Sequence, residues 1–396
     1  MELDHNFLQP AICSLIAEEL AELRGISLLD LDATRWDGET VIGSDALPVD
    51  SIELVSLATN CAERFGLQDM GAGDYLLRHR RIIDWADLAA TGMRETGTVT
   101  FRTSGTTGQP KRVTHRLEDL EQEIAVLADL LADARRIVSL VPAHHIYGFL
   151  FTVLLPMHRN LPLSRAGSIS GMPPADLQAG DWLIGFPLRW RQMSRLGRPL
   201  PAGVSAVTST SPCPPELIRD MTALGLERML SIYGSTETAG VGFRFNADEP
   251  YTLFDYWRWD GHALERRRPV SGATVRIEPE DILEFSDDRR FRPTGRKDAV
   301  VQVAGRNVRP AHVATRIAGH PLVERCSVQL DDGGEEPRLS AAIVLAAGTE
   351  ETAAEAALRD WAGNELASAE RPARWRFVNE LHFTTTGKPH GWEAST

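Results

Sequence analysis

The stretch "TSGTTGQPK" (residues 103–111) gathers the hydroxyls of Thr103, Ser104, Thr106 and Thr107, two glycines and Lys111. Hydroxyls, inward-turned backbone amides and an ammonium suit one guest above others, a chain of phosphate oxygens. Gly105 and Gly108 permit the positive-φ turns that aim several amides at one anion. The GK[ST] ending of a Walker loop is absent. Taken alone, the stretch also reads as a solvated Gly/Thr turn. A second chemistry-bearing pair, His144 and His145, is not expected to hold a metal, because adjacent side chains point apart and no third ligand is nearby. The four cysteines, Cys13, Cys61, Cys213 and Cys326, are far apart and form no CxxC pair, so neither a zinc site nor a disulfide framework is indicated, which fits a reducing cytoplasm.

The elements that must position these groups follow from periodicity. Over the first ninety or so residues, "FLQPAICSLIAEELAEL" and "SIELVSLATNCAERFG" place apolar residues three and four apart, the spacing of one helix face. A loop rich in Asp, Gly and Pro separates them, and "IDWADLAA" closes the segment with a further helix. From Thr98 the texture changes. Short β-type runs ("TVTFRTS", "RIVSLVPA", "WLIGFP", "GVSAVTST", "RMLSIYG") alternate with helix-like ones, which predicts βα units and a largely parallel sheet. After "GRKD" (295–298) come a hairpin candidate, "AVVQVAGRNVRP", and a βα tail, read as a small α+β domain. The chain lacks a secretion-signal pattern and an apolar run long enough to span a bilayer. A net charge of -13 argues against general nucleic-acid binding.

Five segments together resemble the adenylate-forming superfamily of acyl- and aryl-CoA synthetases, peptide-synthetase adenylation domains and luciferases. They are "TSGTTGQPK", "HHIYGF" (144–149), "YGSTET" (233–238), "GRKD" and "TTTGK" (384–388), in the family's order. The resemblance implies an α/β fold: a truncated large domain with mostly parallel sheets, and a small mobile α+β C-terminal lid. It implies a ligase that binds ATP and Mg²⁺. A carboxylate attacks the α-phosphorus and expels pyrophosphate, and a thiol then attacks the activated carbonyl and expels AMP. Lys388 bridges carboxylate and α-phosphate in this scheme, Thr236 contacts the α-phosphate, Glu237 ligates Mg²⁺, and Tyr233 and Gly234 belong to the same nucleotide motif. The loop and Lys111 grip pyrophosphate. Arg296 and, by spacing, Asp281 fix the ribose, with Asp287 and Asp288 as alternatives. His145 is a lid over the carboxylate or a core histidine, and Asp298 is the hinge.

The front end resembles something else. "LPVDSIELVSLATNCAERFGL" (47–67) is similar to the signature of acyl carrier proteins, in which Ser51 would carry 4'-phosphopantetheine installed by a phosphopantetheinyl transferase. A serine at a helix start is equally a plain cap. Asp50, Glu53 and Glu63 supply the acidic face of such a carrier, and "TGMRETG" would be its short linker. The domains are then 1–94, 95–297 and 298–396. The thiol acceptor is this carrier, a separate one, or free CoA, and a carrier with a vestigial adenylation half is the rival reading. Truncated ligases of this look resemble those of aryl-polyene and xanthomonadin-type pigment pathways, and Tyr147 and Phe149 suit a flat aromatic acid. Asn307 and His312 stand where the family has arginine and glutamate, and the Thr-Gly that precedes the ribose-binding aspartate is missing before Asp281.

Overall fold

The computed structural model describes residues 3–26, 31, 33–103, 111–165, 173–211, 213–296, 300–331 and 337–379. The chain divides into two compact units, the first comprising residues 1–103, 111–279 and 283–292, and the second 104–110, 280–282 and 293–396.

The first unit opens with helices α1 (His5–Arg24), α2 (Ser51–Arg64), α3 (Gly73–Arg78) and α4 (Ile82–Thr96). A hairpin follows, β1 (Thr98–Thr103) and β2 (Lys111–Arg116), and then α5 (Leu117–Leu130). Strands β3 (Arg136–Ser139), β4 (Leu163–Arg165), β5 (Asp181–Gly185), β6 (Ser205–Thr208) and β7 (Met229–Ser235) pair in parallel. This is the expected βα alternation. Strands β8 (Ala239–Arg244) and β9 (Tyr251–Leu253) then add antiparallel. A small antiparallel sheet follows, β10 (Arg258–Trp259), β11 (Leu264–Arg267) and β12 (Thr274–Ile277). With β13 (Asp281–Phe285) and β14 (Arg290–Arg296) the large sheet has nine strands in the order 13-14-9-8-7-6-5-3-4.

Its parallel strands are apolar on both faces, as a doubly covered sheet requires. Ile137, Ile184, Val207 and Leu230 face one core, while their neighbours Val138, Leu183, Ala206 and Met229 face another with Trp190 and Met221. This period-two division fixes register, because a one-residue slip would exchange the faces.

The first of those cores also contains the front end. Leu8, Ile12 and Ile16 of α1, Leu57 and Cys61 of α2, and Trp85 and Met93 of α4 join one cluster with Phe101, Leu127, Phe149 and Phe254. Helices α1, α2 and α4 are therefore packed as part of the first unit. The expected linker at 91–97 is the last turn of α4, which Gly97 ends in a left-handed cap with its N–H on the Met93 carbonyl. β1 begins at the next residue. Among the described residues no helix is long and apolar enough to cross a membrane.

The second unit has its own core, in which Val308, Val313, Ile317, Ile343 and Leu358 are buried. The expected hairpin is present as Val301–Val303 against Arg306–Val308, turned by Ala304 and Gly305 at positive φ. Strand Arg338–Leu345 pairs antiparallel with Val323–Asp331 and parallel with Arg374–Phe377, and the helices Pro310–Ala318 and Glu351–Glu365 complete the α+β unit.

Candidate active site

The β1–β2 register pairs Thr103 with Lys111, so the two ends of the glycine-rich stretch are held side by side. Ser104, Gly105, Thr106, Thr107 and Gly108 lie outside the described residues, as do Asp298 and Lys388. From the end of β2, Lys111 Nζ reaches Glu237 Oε1 at 3.3 Å, across 126 positions of sequence. Both are reachable from solvent, the lysine side chain 58% exposed and the glutamate 25%.

Glu237 and Thr236 sit in the tight turn between β7 and β8, and the turn is built by its own sequence. Thr238 Oγ1 accepts from the Ser235 N–H at 3.0 Å and donates to the Ala239 carbonyl at 2.8 Å. Ser235 Oγ accepts from the Thr238 N–H at 3.2 Å. Ala239 takes a left-handed φ of 56°, unusual for a residue with a Cβ, so neighbouring contacts must hold it there. Gly234 and Tyr233 precede the turn, the tyrosine ring packing 5.3 Å from Phe291 and 5.6 Å from Tyr251.

Sequence reasoning missed the groups behind this turn. His115 Nε2 lies 2.6 Å from the Thr236 carbonyl oxygen, an acceptor, so Nε2 carries the proton. Burial holds the His115 pKa below the ordinary histidine value, although the bond to Thr236 works the other way. Glu123 of α5 is fully buried, and both its oxygens accept from the Gly240 N–H, at 3.1 and 3.0 Å. The Gly240 carbonyl accepts from Tyr256 Oη at 3.0 Å and Trp257 Nε1 at 2.9 Å. The one available signal was that Asp119 and Glu123 stand four apart on a helix, placing two acids on one face.

The histidine pair differs from expectation. The two rings approach to 4.1 Å, and the side chain of Glu18 on α1 comes to them, all three ligand atoms lying within 4.8 Å of one another. The third group is distant in sequence, which is why spacing did not reveal it. His144 Nε2 is 2.9 Å from Glu18 Oε2 and Nδ1 is 2.7 Å from Ser14 Oγ. The Glu18 carboxylate is raised by burial but lowered more by His144, with help from His145 and Arg64, to about 2. The buried Arg64 donates to the His144 carbonyl and lies 4.6 Å over the Phe101 ring, so positive charge is already supplied to this cluster. His145 itself is exposed. A helical run starts at Ile146, where a Cβ on Gly148 would stand 1.9 Å from the Pro142 carbonyl oxygen; only glycine lets the chain double back so closely there. Tyr147 and Phe149 are core residues, the Tyr147 hydroxyl lying 2.9 and 2.8 Å from the Gly185 and Val207 carbonyls and Phe149 packing on Phe101.

Ser51 is the exposed first residue of α2, whose start is capped by Asp50 with Glu53 closing a capping box. The expected acidic face is internally paired. Glu53 takes a two-point bond from Arg24 at 2.7 and 2.8 Å, and Glu63 pairs with Arg112 at 2.8 Å. Asp281 and Arg296 belong to the second unit, whereas Lys111, Thr236, Glu237, Tyr233, Gly234, His145 and Ser51 belong to the first.

The architecture is that of the adenylate-forming enzymes. It matches an amide bond synthetase from Marinactinospora thermotolerans with a TM-score of 0.56 at 15% identity, covering 96% of this chain and 92% of that one. It also matches the o-succinylbenzoate CoA synthetase of Bacillus subtilis with a TM-score of 0.54 at 17% identity, over 74% and 67%. In sequence, residues 94–281 match the AMP-binding enzyme family and residues 312–388 its C-terminal domain. A 4-coumarate--CoA ligase from Cereibacter sphaeroides is 38% identical over 362 residues, 89% of this chain and 86% of the relative. One from Halorhodospira halophila is 33% identical over 376 residues, 95% of this chain and 96% of the relative. The chain belongs to the AMP-forming acid–CoA ligase family, enzymes that activate a carboxylic acid at the expense of ATP.

Proposed function

We propose that this chain converts an aromatic acid of the hydroxycinnamate type to its acyl adenylate and then to the thioester of free CoA. The geometric observation that carries the reading is the Lys111–Glu237 contact at 3.3 Å, which joins the end of the glycine-rich hairpin to the β7–β8 turn. The donor set fits Mg·ATP: a carboxylate oxygen for a hard cation, and an ammonium beside it for phosphate oxygens. Bound Mg²⁺ supplies charge neutralisation for the phosphates. Glu237 offers that ion its oxygen, Thr236 its hydroxyl to the α-phosphate, and Lys111 with the loop 103–108 holds the pyrophosphate that leaves. Tyr233 and Gly234 shape the adenosine side. Asp281 and Arg296 would fix the ribose, and Lys388 would bridge the incoming carboxylate and the α-phosphate.

A carboxylate oxygen bonds to the α-phosphorus as the bond to pyrophosphate breaks. The thiol sulfur then bonds to the carbonyl carbon, releasing its proton to solvent, as the AMP oxygen leaves with the electron pair of the broken C–O bond. Like charges meet in the first step, so positioning and electrostatic stabilisation carry the catalysis. In this scheme His145, exposed at the start of a buried helix, is the lid, and Asp298 is the hinge on which residues 298–396 turn.

CoA is favoured over a carrier because the relatives aligned along 89% and 95% of this chain bear the name 4-coumarate--CoA ligase, so most of residues 1–94 is matched within them. The packing of α1, α2 and α4 into the common core supports the same choice. The reading with phosphopantetheine on Ser51 and a pigment-type aryl substrate rests on the resemblance of residues 47–67 and the exposure of Ser51.

Acid-dependent exchange of labelled pyrophosphate into ATP tests the first half-reaction, with hydroxycinnamates, hydroxybenzoates and aliphatic acids side by side. Thioester formation on CoA against that on a phosphopantetheinylated carrier tests the second. Exchange with hydroxycinnamates and a CoA product is expected; absence of exchange with every acid overturns the reading. An intact mass raised by phosphopantetheine after incubation with CoA and a phosphopantetheinyl transferase would restore the carrier assignment of Ser51.

A further inference from the structure

The backbone of the turn that presents Thr236 and Glu237 is gripped at both ends. His115 holds the Thr236 carbonyl from β2 at 2.6 Å. Glu123, from α5, takes the Gly240 N–H on both oxygens, while Tyr256 and Trp257 take the Gly240 carbonyl. Gly240 is thus saturated on both sides of its peptide units by three side chains. A Cβ there would lie 2.3 Å from Glu123 Oε1 and 2.7 Å from Phe254, so the fit leaves no slack.

We propose that Glu123 is a positioning residue for the nucleotide site, its carboxyl group fixing the β7–β8 turn so that Thr236 and Glu237 are held for Mg·ATP. The inference rests on the proposed roles of those two residues. It goes beyond them in assigning a part to a buried acid that touches neither substrate nor metal.

Hydrogen-bond accounting gives the form in which Glu123 works. Tyr256 has one hydroxyl proton, and it lies close to both Glu123 and the Gly240 carbonyl. When Glu123 is a neutral acid, its O–H donates to Tyr256 Oη, Tyr256 donates to the Gly240 carbonyl, and the remaining Glu123 oxygen accepts the Gly240 N–H. Every polar group is then satisfied. When Glu123 is a carboxylate, it competes with the Gly240 carbonyl for the Tyr256 proton. The charged group facing it is Arg266 of β11, which is paired at 3.2 Å with Asp119 of the same helix as Glu123; Asp119 acts on the Tyr256 hydroxyl. Burial dominates: it pushes the Glu123 pKa up to about 7 despite the Gly240 bond and the Arg266 charge. The neutral form is therefore accessible at ordinary pH, and the turn is predicted to loosen as pH rises through neutrality.

Glu123→Gln and Glu123→Ala test this. Gln keeps an acceptor for Gly240 and a donor for Tyr256 and cannot ionise; Ala leaves the Gly240 N–H without its acceptor. In the ligand-free protein, hydrogen exchange at residues 235–240 should accelerate at least tenfold in the Ala variant and stay at the wild-type acid-side rate in the Gln variant. In pyrophosphate exchange at saturating acid, kcat/KM for Mg·ATP should fall at least tenfold in the Ala variant, with KM for the acid changed by less than about twofold. The wild-type profile should bend near pH 7, and Gln should remove that bend. Unchanged exchange protection in the Ala variant, or a bend that persists in the Gln variant, overturns the proposal. So does unfolding of both variants, which makes Glu123 a fold determinant alone. A wild-type enzyme inert with every acid, but with turn protection that depends on Glu123, refutes the functional reading while leaving the clamp established.

Discussion

Replacing Glu237 by Gln separates a structural from a chemical role, because the structure assigns very different magnitudes to the two. Its ion pair with Lys111 spans 3.3 Å between side chains 58% and 25% exposed. Two unit charges at that distance in water attract by about 1.3 kcal/mol, and ordering two side chains and screening by salt cut this to about 1 kcal/mol or less. The turn does not depend on the carboxylate. Thr238, His115 and Glu123 hold it, and none of their bonds involves the Glu237 side chain. Urea unfolding should therefore shift by no more than about 1 kcal/mol. In its proposed role as an oxygen ligand for Mg²⁺, however, Glu237 would supply charge that a neutral amide lacks. Loss of one preorganised electrostatic contact costs about a hundredfold, or ~2.7 kcal/mol, in kcat/KM for Mg·ATP. Pyrophosphate exchange measured across a magnesium series should show that loss and a higher Mg²⁺ requirement. Exchange within threefold of wild type at subsaturating magnesium would refute the assignment, as would a stability loss large enough to account for the missing activity.

Three further outcomes are expected. Gly240→Ala should destabilise the protein by about 3 kcal/mol in urea unfolding, since its Cβ meets Glu123 Oε1 at 2.3 Å in a fully packed site. Asp119→Ala should cost about 3–5 kcal/mol by the same measurement, because it strips the buried Arg266 guanidinium, 3% exposed, of the carboxylate 3.2 Å away. Glu18→Gln should blunt acid unfolding: the folded carboxylate titrates at about 2 against an ordinary 4.5, so its stabilisation is full above 4.5 and disappears as pH falls towards 2. With 44% of that side chain exposed, screening limits the difference to about 1–2 kcal/mol in thermal melts across this window.

Much of the architecture was legible because it rests on local signals. Apolar runs bounded by turns gave β3, β5, β6 and β7, and "AVVQVAGRNVRP" gave the second unit's hairpin. Thr236 and Glu237 were named from one short segment, and the structure sets both on the turn between β7 and β8. The site was opaque where partners come from remote strands. His115 looks like the end of a polar strand, and its partner is a backbone carbonyl 121 residues away. Glu123 lies in a stretch whose sequence says only that it is helical, and its burial shows in its bonds to Gly240 of β8. The same distance effect explains Glu18, which joins His144 from α1 and overturns the argument that no third donor stood near the histidines. Tyr147 and Phe149 suggested a ring-shaped pocket by type, yet type alone does not distinguish a pocket wall from a core, and both are buried in the core.

The front end makes the same point about ambiguity at one helix start. "PVDSIE" satisfies the chemistry of a phosphopantetheine site and of a capping box equally, because both require a short polar group ahead of a helix and an acid in its first turn. What separates the readings lies on the other side of the helix. A carrier domain must keep its core to itself in order to move, whereas Leu57 and Cys61 of α2 share theirs with Phe101 and Phe149. The charges point the same way: Glu63 is engaged by Arg112, one residue beyond Lys111 on β2. Of the acids that would advertise a docking face, Glu63 instead braces the hairpin that carries Lys111, Glu53 is tied to Arg24 and Asp50 caps α2. The helices ahead of β1 are thus best understood as the wall against which β1 and β2 are set, and detaching them should expose Phe101 and collapse the hairpin rather than release a mobile arm.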